Sequence, residues 1–95
     1  MKFAFLIMGM YDCEKDRAAI HDGAAKMIGV ANIDEAVNAA REVEAQGVDC
    51  IELCGAFGPD GAKRIIEATG GRLPVGYVTH LPEQDALYMQ VFGKK

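Results

Sequence analysis

Six apolar residues in succession, Phe3 to Met8, stand near the start of the chain and are closed by Gly9. An unbroken apolar run bounded by glycine, rather than an alternating one, reads as a strand covered on both faces. Residues 9 to 16 are polar and irregular. Two short strand-capable segments follow, Arg17 to Ile20 and Ala25 to Val30, around His21-Asp22-Gly23-Ala24. Asp-Gly at such a junction signals a β-hairpin whose central residues take positive φ, and His21 belongs to that turn. From Asn32 the period changes: Ile33, Ala36, Val37, Ala40 and Val43 recur at helical spacing, with Glu35, Asn38, Arg41 and Glu42 turned outward. Asn32 and Glu35 have the spacing of a capping box, and Gly47 is placed to end the helix in the left-handed conformation.

Val48 to Cys54 returns to a strand pattern. A second helix starts with Gly58 as cap and Pro59 at its first position, where a missing N–H costs nothing. Its inner stripe is Ala62, Ile65, Ile66 and Thr69; Gly70-Gly71 stops it, and Pro74 to His80 forms a further strand. Helix, glycine, strand is thus written twice, the mark of parallel crossover units. The end of the chain reads two ways. Pro82 to Asp85 has the acidic first turn of a helix, whereas Leu87 to Phe92 has the composition of an edge strand; helix is the favoured reading. The expected architecture is one α/β domain over residues 1–95, a small mostly parallel sheet with a β-hairpin inserted after strand one and two αβ units.

The formal net charge is −4, and no Lys/Arg run exceeds Lys94-Lys95, which leaves no basic stripe for nucleic acid. No stretch approaches the length of a membrane span, and the apolar start is followed by Asp12, Glu14, Lys15 and Asp16 rather than a small-residue cleavage site. Three cysteines, two of them four apart, do not form a disulfide framework, and a reducing cytoplasm is the expected location. A chain of 95 residues that is 51% hydrophobic carries apolar surface to bury against a copy of itself, so a homodimer is expected. Met8, Met10, Met27 and Met89 read as core or interface fillers.

In an open α/β sheet, ligands bind beyond the carboxyl ends of the strands. That rule selects residues 9 to 16, the turn Cys54 to Gly61, and Thr79 to Pro82. In the middle segment Gly55, Gly58 and Gly61 recur every third residue, letting backbone approach a ligand under a helix N-terminus; Asp12 and Phe57 complete a candidate site for a small anionic ligand. The turn matches neither the dinucleotide fingerprint nor the P-loop, nothing indicates a cofactor, and the plainer reading is a tight connection. Alternation sets Cys50, Glu52 and Cys54 on one strand face, and a carboxylate buried there would gain the raised pKa of a general acid or base. Glu52, Cys54 and His80 are therefore the catalytic candidates, with Cys54 a nucleophile if His80 comes beside it. Cys13, Cys54 and His80 with a carboxylate would suit zinc, although no Cys-x-x-Cys or His-x-x-x-His spacing supports a metal site.

The segments Gly47 to Pro59, with Ile51-Glu52-Leu53-Cys54-Gly55 as their most specific run, and Leu73-Pro74-Val75-Gly76, resemble a family of small prokaryotic proteins of roughly this length classed as a domain of unknown function. Arg17-Ala18-Ala19-Ile20 and Ile28-Gly29-Val30 extend the likeness over most of residues 3 to 80. The resemblance implies a stand-alone domain without an assigned activity. Three functions stay open: binding of a small anionic ligand at residues 55–61, acid–base chemistry at Glu52 with Cys54 and His80, and a structural or assembly role.

Overall fold

The computed structural model describes residues 1–93. Its five strands are β1 (Phe3–Met8), β2 (Arg17–Ile20), β3 (Ala25–Val30), β4 (Cys50–Leu53) and β5 (Val75–Tyr77), joined in one sheet of order β2-β3-β1-β4-β5. The central β1 is parallel to β3 and β4, β5 extends the parallel set, and only β2 runs antiparallel, against β3. The described residues also form three α-helices, α1 (Ile33–Ala45), α2 (Gly58–Ala68) and α3 (Asp85–Phe92). The architecture is the mostly parallel α/β sheet with an inserted hairpin that the pattern predicts. β4 and β5 are shorter than the segments 48–54 and 74–80, because pairing with β1 and with each other spans only these residues.

Local signals act where they were expected. His21, Asp22 and Gly23 carry φ of 51°, 55° and 85° in the β2–β3 connection. The Asn32 side chain accepts from the Glu35 N–H at 2.9 Å, while the Glu35 carboxylate accepts from the Ala31 N–H at 2.8 Å. Gly47 at φ 90° follows α1, and Gly70 and Gly71 at 61° and 70° follow α2, each turning the chain back toward the sheet.

Both α1 and α2 lie on one face of the sheet and touch each other there. Ala4 and Leu6 of β1, Ile28 and Val30 of β3, and Ile51 and Leu53 of β4 point into that layer and meet Ala36, Ala40 and Val43 of α1 and Ala62 and Ile65 of α2. Each large side chain buried here contributes about 1.5–3 kcal/mol. Thr69 is also fully buried, and its hydroxyl donates to the Ile65 carbonyl at 3.0 Å. Ile66, placed on the inner stripe by spacing, is 39% exposed instead.

The opposite face corrects the reading of Phe3 to Met8 as a strand covered on both sides. Phe3, Phe5 and Ile7 are only half-buried, and Met27 and Ile20 beside them are exposed. Two crossover helices on the same side make a two-layer rather than a three-layer domain. The described helices include none long and apolar enough to cross a membrane.

Candidate functional site

The connection leaving β1 runs toward β2 and β3, and the one leaving β4 runs toward β5, so the chain diverges at the carboxyl ends of these two neighbours. Such a divergence opens a crevice where α/β sheets hold ligands. Here it is bridged by two contacts at Cys54, whose N–H donates to the Leu6 carbonyl at 3.0 Å and whose sulfur accepts from the Met8 N–H at 3.3 Å. Beyond them lies a groove of about 1020 Å3. It is lined by Cys54, Gly55, Ala56 and Gly58 of the β4–α2 turn, by Tyr77 to His80, and by Tyr88, Met89 and Phe92 of α3.

The α3 wall is aromatic and ordered by stacking. His80 lies on Tyr88 with ring centroids 3.8 Å apart and planes 10° from parallel, and Tyr88 lies on Phe92 at 5.5 Å. Asp85 at the start of α3 meets His80 Nε2 at 2.6 Å. The spacing Asp85, Tyr88, Met89, Phe92 is i, i+3, i+4, i+7, one face of a helix, and that face looks into the groove. Among the groove-lining residues there is one carboxylate, Asp85, and no Lys or Arg.

Of the residues singled out by sequence, Cys54, Gly55, Gly58 and His80 line this groove together. Phe57 does not: it is buried in the core at 5% exposure. Gly61 is buried beneath it, and a Cβ added there would fall 2.9 Å from the Phe57 Cβ, so this glycine serves helix packing. Asp12 is folded into its own loop, its carboxylate accepting from the Glu14 and Lys15 N–H groups at 2.8 and 3.2 Å. Glu52 projects from the uncovered face and is exposed, so the burial on which its acid–base role depended is absent. Its carboxylate lies over Gly76, where a Cβ would come within 2.8 Å of Oε1.

The cysteines remain free and apart. Cys13 packs against the core, and its thiol is pushed up by burial and then by Glu35, Glu14 and Asp12. Cys50 is likewise pushed up by burial and by Glu52 and Asp49, which favours the unreactive thiol in both. Among the described residues no three His, Cys, Asp or Glu side chains are grouped to hold a metal ion. A smaller depression of about 270 Å3 beside β2 and β3 contains Arg17, Glu42, Lys26 and Gln46, which are paired with one another.

Asp85, Tyr88, Met89, Phe92 and Met8 were missed by sequence reasoning. The usable signal was the i, i+3, i+4, i+7 stripe on α3, obscured because Leu87 and Val91 make the rest of that helix apolar as well. No curated protein and no solved structure matches the chain. The model of a family of unknown function (DUF6506) matches residues 1–93, and the chain belongs to that family.

Proposed function

We propose that this domain binds a small ligand with a flat apolar body in the groove between the β4–α2 turn and α3. The observation that carries the reading is the groove itself: about 1020 Å3, at the strand ends where the topology opens a crevice, with a stacked aromatic wall. Ligand pockets are mostly apolar concavities of roughly 300–1,000 Å3 with a few convergent polar groups. His80 and Asp85 supply the polar handle. In the tautomer that carries its proton on Nε2, that N–H donates to the carboxylate and Nδ1 is an acceptor for a ligand N–H or O–H.

This lining changes the chemistry expected at residues 55–61. Pro59 has no N–H to offer, Asp60 already occupies the first turn of α2, and no Lys or Arg lines the groove. A neutral planar molecule suits these walls better than an anion. A second reading, acid–base catalysis, rests on the 2.6 Å His80–Asp85 contact with Cys54 in the same groove, because a carboxylate-oriented imidazole is a ready general base.

A thermal-shift screen of small planar amides and heterocycles, with hits titrated calorimetrically, tests the first reading. Ala56 lines the groove and is exposed, so Ala56→Trp fills the site without touching the core. The expected result is saturable 1:1 binding weakened at least about tenfold by Ala56→Trp, or about 1.4 kcal/mol. Equal affinity in both proteins, or no compound that raises the melting temperature, overturns it.

A further inference from the structure

The sheet face away from α1 and α2 is an apolar surface that the domain's own layers leave uncovered. Register places Phe3, Phe5 and Ile7 of β1 side by side with Ala25, Met27 and Gly29 of β3, and Ala18 and Ile20 of β2 continue the same surface. Phe5 is flanked on its other side by Glu52 of β4. At the end of β3 the Tyr11 side chain lies against Gly29, where an added Cβ would fall 2.7 Å from its Cγ. The face is therefore a continuous apolar surface with the Tyr11 side chain at one end.

We infer that two copies of this chain pack these faces against each other around a two-fold axis. Charge favours a second copy as the occupant. A two-fold contact meets itself, so it tolerates a neutral surface and penalises a charged one. The sole ionised side chain borne by the strands on this face is Glu52, and it leans over Gly76 toward the β5 edge, at the rim where water remains. With strand spacing of about 4.8 Å and a rise of about 3.3 Å per residue, five strands give a footprint of roughly 20 × 20 Å, or about 400 Å2 in projection. That is about half the ~800 Å2 per partner of a standard interface, the size of a weak contact between copies. The contact is thus a reversible dimer rather than an obligate one. This inference is independent of the groove, which is lined from the strand ends and α3.

Sedimentation equilibrium of the full chain across micromolar concentrations is the test. Met27 and Ile20 are 45% and 68% exposed, so Met27→Lys and Ile20→Lys place a charge in the contact without entering the core. The wild type is expected to form a dimer, and each variant to weaken it at least about tenfold with an unchanged circular dichroism spectrum. Leu87→Lys, on the side of α3 away from the groove, is expected to leave the dimer intact. A chain that stays monomeric at every concentration, or a dimer lost with Leu87→Lys and kept with Met27→Lys, overturns the inference.

Discussion

Gly55, Gly58 and Gly61 look alike in the sequence and do three different things. Gly55 sits where a Cβ would press within 3.3 Å of the Val78 carbonyl oxygen, so its smallness lets β5 and the turn approach. Gly58 has φ 60° and ψ −174°, a backbone region that only glycine occupies without strain. Gly61 lies inside α2 against Phe57. The effect of Gly61→Ala therefore sets two terms against each other. Alanine improves helix propensity by up to about 1 kcal/mol, while forcing a methyl against the Phe57 Cβ costs about 1–3 kcal/mol. Urea unfolding is expected to show a net loss of about 1 kcal/mol; a gain in stability would mean that Phe57 swings aside. The regular spacing of these glycines was legible, but it carried no information on which of them faces a ligand, since that depends on what packs over each one.

At the scale of elements, α3 differs from the other two helices. α1 and α2 each bury several side chains, whereas α3 buries none and is held by the His80 and Tyr88 rings and the Asp85–His80 contact. Aromatic pairs of this kind contribute about 0.5–1.5 kcal/mol beyond the area they bury. Tyr88→Ala should accordingly release α3 alone: amide exchange over residues 85–92 rises several-fold while protection in β1 and β3 is unchanged. Equal loss of protection in the central strands would show that α3 belongs to the cooperative core. A helix with its acidic first turn at Pro82 to Asp85 is the favoured sequence reading, and the structure makes Pro82–Gln84 a 3-10 turn and starts α3 at Asp85. Its position over the strand ends was not readable, since an apolar-all-round helix shows no preferred face.

At the scale of the molecule, two bidentate ion pairs tie the pieces to α1. Arg17 of β2 holds Glu42 at 2.6 and 3.1 Å, and Arg72, beyond α2, holds Glu44 at 2.6 and 3.0 Å. Hydrogen bonding from its arginine keeps each carboxyl below the ordinary value of 4.5. A carboxyl lowered in the folded state adds stability above that ordinary value and loses it as pH falls through the lower, folded one. Both side chains of the Arg17–Glu42 pair stay partly exposed, so screening limits it to roughly half a kcal/mol. Thermal unfolding between about pH 5 and pH 3 should fall less steeply in Glu42→Gln than in the wild type; parallel curves would show that the pair contributes nothing.

The sequence by itself determined the elements and most of their ends: the Asn32–Glu35 cap, the Asp22-Gly23 turn and the glycines after α1 and α2 are local signals, satisfied by atoms a few residues away. It determined the fold class for the same reason, since two helix-to-strand units imply parallel neighbours. Tertiary structure alone decided the rest. Strand order put both helices on one face, leaving Glu52 exposed on the other despite its strand-interior position. It also carried His80 and Cys54 to one groove beneath α3 while leaving Asp12 in its own loop. These placements rest on contacts between residues distant in the chain, and no periodicity along one strand or helix encodes which face its neighbours will cover.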